Sequence, residues 1–373
     1  VSFVTKTPLL TPFVSLEEEE EFQQLLSTCM EERMTPLVTT NQEREWVRSI
    51  RNATILHNKD NVTRTKAYLQ LYAQHPELHW SLLAHLVSRN GGYQMTDLKG
   101  ETLDSLLSPK NHATLFSFLE TANAWIFQDA FPQLMWYALN KQRGFHIPST
   151  LLRHFHVSVF NEAAWIFFLR SPATRKAFLT CALIENEQRM IEVRHLSRKE
   201  SQAVVSSFPF RIQNVLPFTH VIFPYKKSVL LLSPRVRGVT VSQFELVTER
   251  IRIGRVLYTL LYSQKSTLKF AGNWAKETAH TGSREDLWPK IYSRHRTSSK
   301  KIWSPRLSSV WPAVNIPDWQ PEDWCKTATL PDTFHYGQAS YCRLTDHTSA
   351  LRKATVALQT MDWIGDALHE FFQ

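Results

Sequence analysis

The sequence predicts a mainly α-helical protein: a multi-helix single unit with a minor β hairpin and a long Trp-rich irregular segment. Three observations carry this expectation. Apolar residues recur at spacings of three and four through most of the chain, the period of an amphipathic helix. Glycine is scarce, with 10 residues against 12 Trp and 22 Phe, which disfavours a glycine-rich nucleotide cradle and favours bulky side chains packed between helices. Hydrophobic residues make up 43% of the 373 positions and charged residues 21%, so the chain can bury a large core and lies far from the disordered regime.

Taken in order, Ser15 and Glu18 form a capping-box pattern ahead of a helix that runs to about Met34, and the acidic run Glu17 to Glu21 complements its dipole. Helices are then predicted over 41–56, 62–74, 76–90, 113–130 and 132–143, with Pro76 and Pro132 in first turns and Gly91 and Gly144 at exits. Two more cover 158–170 and 172 to about 196. Short β-prone runs, His220 to Phe223 and Ser228 to Leu232, predict a hairpin. Ser242 and Glu245 repeat the capping box, and Phe244, Val247, Ile251, Gly254, Tyr258 and Leu261 mark one buried helix face. Residues from about Ser263 to Thr345 read as irregular and hold six of the twelve Trp. Leu351, Ala354, Leu358, Met361, Gly365, Leu368 and Phe372 return to helical spacing. No internal repeat or low-complexity linker interrupts the chain, which predicts one integrated domain. Its parts are a helical core over 1–207, a hairpin region over 208–241, a buried helix over 242–263, a basic Trp-rich cover over 264–345, and a C-terminal helix over 346–373 packing on the core.

Several function classes are disfavoured. The opening residues lack a basic region followed by an apolar stretch, and no apolar run approaches the roughly 18–20 residues that span a bilayer, so a cytoplasmic location without a transmembrane segment is expected. Cys29, Cys181, Cys325 and Cys342 are scattered without a C-x-x-C pair, which suits reduced thiols and supplies no zinc site. Walker loops, G-x-S-x-G elbows, dinucleotide fingerprints, H-E-x-x-H and known nucleic-acid modules are absent from the sequence, so no cofactor and no metal are expected. Two Glu-x-x-His pairs, Glu192 with His195 and Glu277 with His280, occur at about the frequency chance allows and lack the paired-helix setting of a di-metal centre. Asn52 and Asn61 open glycosylation sequons that should stay unmodified in the cytoplasm.

The most unusual stretch runs from His75 to Gly100. Within it His85 and Arg89 share a helix face, and with Asn90, beside the amides of Gly91 and Gly92, they form a candidate site for an anionic or carbonyl-bearing ligand. The structural alternative makes these histidines capping and core residues with satisfied hydrogen bonds. Glu120 and Asn123 share one face among Phe118, Trp125 and Ile126, and Asn161 and Glu162 precede a strongly apolar run. Such residues either form a network that fixes helix register, with Arg89 or Arg284 as partners, or line a pocket where Glu120 or Glu162 acts as a general base. The run His75 to Gly100, with Asn123 to Asp129 and His280 to Arg284, resembles the YppC-like family of uncharacterised bacterial proteins, a domain of unknown function. The resemblance implies a bacterial cytosolic protein and lends no catalytic residue.

Charge is local. From Lys226 to Arg306 there are 17 Lys and Arg against 5 Asp and Glu, a net of +12 in a chain of net +9. Arg294, Arg296, Lys300 and Lys301 interleave with Trp288, Trp303 and Trp311, a composition suited to phosphate contacts with base stacking or to an anionic membrane surface. The expected partner is single-stranded nucleic acid or another polyanion, with a peripheral membrane role as the variant. A non-catalytic binding or scaffold protein is therefore expected. The alternative is a hydrolase or lyase with a polar pocket lined by His85, Arg89, Asn90, Glu120 and Asn123.

Overall fold

The computed structural model describes residues 15–100, 108–196, 220–227, 234–240, 245–296, 301–314 and 322–335, with the single residues 201, 204 and 348. Helix α1 spans Leu16–Glu32 and opens as predicted: the Ser15 hydroxyl accepts the Glu18 N–H, and the Glu18 carboxylate accepts the Ser15 N–H. The same reciprocal cap starts α2, Asn41–His57, at Thr40 and Glu43, and α3, Asn61–Gln74, at Asp60 and Thr63.

Helix α4, His79–Asp97, departs from expectation at both ends. Pro76 lies in the turn before it, and Gly91 and Gly92 sit inside it. Gly92 is needed for proximity: a Cβ there would lie 2.5 Å from both Asn61 Oδ1 and His280 Nε2. A glycine kept for close approach and a glycine that ends a helix look alike in sequence.

Helix α5, Pro109–Gln142, runs through Pro132, where a break between two helices is predicted. The lost hydrogen bond and ring clash cost about 3 kcal/mol. Phe127, Phe131, Leu134 and Trp136 are all buried around the proline, and each contributes about 1.5–3 kcal/mol, so burial outweighs the break. A 3-10 segment, Ser149–Phe155, leads into α6, Val159–Arg170, and α7, Pro172–Ile191, which ends in a π-helical turn at Glu192–Leu196.

Strands β1, His220–Lys227, and β2, Pro234–Thr240, form the antiparallel hairpin, with His220 opposite Thr240, Pro224 opposite Val236 and a bulge between Pro224 and Lys226. The predicted strand Ser228 to Leu232 lies outside the described residues, as does nearly all of the predicted helix over 346–373. Helix α8, Val247–Tyr262, starts after Leu246 with no side-chain cap, later than the predicted capping box; of its expected face Ile251, Tyr258 and Leu261 are buried, Val247 and Gly254 are half-buried, and Ser242 and Phe244 lie outside the described residues. Helix α9, Lys265–Glu277, falls where an irregular segment is predicted. Its buried positions are Thr267, Ala271 and Ala275, small residues that pack closely, and Leu268 and Trp274 beside them pack against the core. Beyond it a two-residue parallel pair joins Tyr292–Ser293 to Ile302–Trp303, with single helical turns at Leu307–Val310 and Asp332–His335.

Most of the helices share one core. Phe22 of α1 meets Phe160, Phe167 and Phe178 with ring centroids 5.3, 5.6 and 4.8 Å apart, tilted or edge-on, contacts of about 0.5–1.5 kcal/mol each beyond burial. Residues 322–335 seal this layer: Phe334 packs on Phe160 and Phe178, and the Trp324 indole donates to Asn186. Cys29, Cys181 and Cys325 are buried and unpaired, and burial pushes each thiol up to about 12. No described helix is long and apolar enough to cross a membrane.

Candidate functional site

The predicted cluster on α4 is spent on structure. The His85 Nδ1–H donates to the Thr65 carbonyl at 2.8 Å, and burial, with Arg89 nearby, pulls this imidazole down to about 3. Asn90 acts as an extra strand residue for β1: its Nδ2 donates to the Ile222 carbonyl at 2.7 Å, and its Oδ1 accepts the Ile222 N–H at 3.1 Å. Arg89 donates to the Thr278 and Ala279 carbonyls and the Tyr93 hydroxyl, with its guanidinium 4.1 Å above the Trp274 ring and 3.8 Å from Asp286. His280 completes this web, its Nε2–H donating to Asn61 Oδ1 at 2.8 Å with Asp286 3.6 Å from Nδ1. Arg89→Met should therefore lower stability by about 2–3 kcal/mol in a denaturant melt, because buried carbonyls lose their donors, while ligand binding elsewhere is unchanged.

The other buried acids find partners that were not expected. Glu120 pairs with Arg64 at 2.5 Å, not with Arg89 or Arg284. Glu162 is gripped by Arg33 and Arg153 at 2.9 and 3.0 Å. Arg284 is bound to Asp97, Oδ2 to Nη2 at 2.6 Å. Glu192 is taken by Arg250, and His195 lies against Phe118 and Trp125, so this Glu-x-x-His pair is engaged in an ion pair and in packing.

In the basic segment, Arg294 pairs with Glu285 and Asp286, and the Lys301 ammonium donates to the Pro289 carbonyl. Arg296 is exposed and stacks 4.2 Å above Trp303. Lys300 lies outside the described residues.

A different place in the fold has the character of a site. A half-enclosed cavity of about 180 Å³ opens between α3, α4, α5, α7, α8 and β1. Its wall is mostly apolar, with Leu83, Val87, Ile126, Ile184, Val221, Ile253 and Leu257 around it. Gly254 lets α8 close on α7, since a Cβ there would meet Ile184 Cγ2 at 2.7 Å. Into this wall come a few polar groups: Tyr68, Trp80, Ser88, Asn123, Glu187, Gln188 and Arg250. An apolar concavity with a small number of convergent polar groups is what small-molecule sites share. Of the five predicted ligand residues, Asn123 lines this cavity, and Glu120 lines a second one of about 200 Å³ with Asp60, Phe116 and Trp311. His85, Arg89 and Asn90 line neither.

Glu187 sets the chemistry. It retains some accessible surface because it lines the cavity, yet protein crowds it so closely that burial pushes its carboxyl up to about 8. Hydrogen bonds from Gln188 and Trp80 oppose that shift, and the charge of Asp129 adds to it. At neutral pH the group is mainly a neutral acid. A chain of contacts leads outward: Gln188 Nε2 donates to Glu187 Oε1 at 3.1 Å, Arg250 Nε donates to Gln188 Oε1 at 3.0 Å, and Arg250 Nη2 donates to Glu192 Oε2 at 2.6 Å. Across the cavity the Tyr68 hydroxyl is buried with no hydrogen-bond partner. Neither Glu187 nor Tyr68 was singled out from sequence. The available signal was phase: Glu187 follows Leu183 by four residues and Ile184 by three, which puts a carboxylate on the apolar face of α7.

The cavity-bearing helical fold belongs to a family of proteins of unknown function, DUF2515, which matches residues 56–359 and so takes in every helix around the cavity. The uncharacterized protein YppC of Bacillus subtilis (strain 168) is 35% identical over 294 residues, covering 76% of this chain and 85% of YppC. This agrees with the resemblance carried by His75 to Gly100. No solved structure matches the chain.

Proposed function

We propose that the protein is a non-catalytic binding protein that holds a small, largely apolar molecule in the cavity between α3, α4, α5, α7 and α8. The observation that carries this reading is the apolar wall interrupted by one neutral acid, Glu187, and one unpartnered hydroxyl, Tyr68. A dry cavity of roughly 150 Å³ accepts a benzene ring, so about 180 Å³ suits a single substituted ring. Binding is favoured over a hydrolase or lyase because the Ser88 hydroxyl at the wall accepts from Asn61 and Thr65, and the described lining residues include no His, Cys or Lys to activate it. Ala84 lines the cavity, and Ala84→Phe should fill it. Ethylbenzene or acetophenone is expected to raise the melting temperature of the wild type and to leave that of the filled variant unchanged. Equal responses from both proteins would refute the reading.

A second reading is favoured by Arg296 stacked on Trp303 at the exposed end of the basic segment. It makes this surface a binding site for single-stranded nucleic acid, with base stacking added to phosphate contact. Affinity should fall steeply with salt, and Arg296→Ala should reduce the logarithmic slope by about 0.7. Binding to anionic vesicles alone would assign the surface to a membrane, and binding to neither would make it a solubility feature.

A further inference from the structure

The geometry points to a ligand class for the same cavity, and so rests on the first reading above: an uncharged molecule with a compact apolar body and one carbonyl oxygen, received by the Glu187 carboxyl group and the Tyr68 hydroxyl as two donors. The argument is one of unmet hydrogen-bonding capacity. Glu187 already receives the Gln188 amide and the Trp80 indole, so its acceptor side is supplied by the protein, and what it has left to offer is its own proton. Tyr68 is likewise a donor without an acceptor, buried at the cavity wall. Two donors on residues that line one apolar cavity call for an oxygen with two lone pairs.

Charged alternatives fit less well. A carboxylate would need a counter-charge, and the cation at the wall, Arg250, is already neutralised by Glu192 at 2.6 Å. An ammonium would face that same Arg250 and an acid that has no negative charge to give. The groups facing Glu187 are Tyr68 from α3, Asp129 from α5 and Arg250 from α8, while α4 contributes only the non-titrating Trp80 and Ser88. Asp129 is held by the Asn186 amide at 2.6 Å and favours the protonated form of its neighbour. The carbonyl therefore meets a neutral acid at pH 7 and a carboxylate at higher pH.

The experiment is titration calorimetry with four near-isosteric probes, acetophenone, ethylbenzene, benzoate and benzylamine, between about pH 6 and 10. Acetophenone is expected to bind about tenfold tighter than ethylbenzene at the acid end, as two net hydrogen bonds allow. That advantage should shrink towards the part that Tyr68 alone supplies as pH rises through about 8, while ethylbenzene binding stays flat. Glu187→Gln keeps a donor and should keep the preference at every pH. Tyr68→Phe should lose roughly threefold to fivefold of it at every pH below 8. If ethylbenzene binds as well as acetophenone, or benzoate or benzylamine binds best, and Ala84→Phe still abolishes binding, the carbonyl class falls and the cavity reading stands. If no probe binds the wild type, or Ala84→Phe binds them equally, the cavity reading falls and this inference with it.

Discussion

Replacing Glu187 by Gln is expected to make the protein more stable at neutral pH and to leave it unchanged in acid. In the fold the carboxyl titrates at about 8, against roughly 4.3 in the unfolded chain. Between those values the folded state holds a proton that the unfolded state has released, so wild-type stability falls as pH rises through this window. Each unit of difference amounts to about 1.4 kcal/mol, which makes the accumulated loss on the order of 3–4 kcal/mol at pH 7 and slightly more by pH 8. Glutamine has no proton to lose and escapes that penalty. Urea melts of both proteins should coincide near pH 4 and diverge steadily towards pH 8, with the variant higher. Parallel curves across the range would mean that Glu187 ionises at an ordinary value. An acid kept in so costly a place is held there against stability, as binding sites often do.

The second large effect is expected from Arg284→Met. Asp97 and Arg284 are both buried, and the carboxylate receives three contacts from this one guanidinium, between 2.6 and 3.0 Å. Burial raises the Asp97 carboxyl, and the Arg284 charge opposes that shift. Removing the cation leaves a buried carboxylate unpaired, which costs on the order of 3–5 kcal/mol. In the variant Asp97 escapes by taking up a proton, so the deficit should be largest at neutral pH and shrink as pH falls towards about 4. Chemical denaturation at two pH values measures this. A deficit below about 1 kcal/mol at pH 7 would show that the segment around Arg284 is docked by other contacts.

The helices were legible because most of them carry a wide apolar stripe and a sequence-local start signal; the caps at Ser15 and Thr40 can be read from residues three apart. What escaped was set by tertiary partners. Gly92 looks like a helix exit until Asn61 and His280 are seen beside it, and Pro132 looks like a break until the core is seen around it. Helix α9 is a different case: Leu268, Ala271 and Ala275 stand three and four apart, so its period is present in the sequence and escaped only among the Trp and Pro of the surrounding stretch. Among the candidate residues, the unusual polar ones on α4 are unusual because they fasten α4 to β1 and to residues 278–286, whereas the cavity gathers side chains from helices far apart in sequence. A single acid such as Glu187 gains meaning only when the other walls are in place.

The ion pair between Arg33 and Asp323 joins residues 290 positions apart, and the same Asp323 carboxylate accepts the Val159 N–H at the start of α6. During synthesis at about 5–20 residues per second, Asp323 follows Arg33 by on the order of 15–60 s. Once α7 has been made, α1, α6 and α7 can collapse around Phe22, but the first turn of α6 waits on the order of 8–33 s for this cap, and Asn186 waits for Trp324. This layer is thus assembled around α1 and fastened only when residues 322–335 arrive, and a ribosome that stalls before residue 322 leaves an aromatic layer open to other chains.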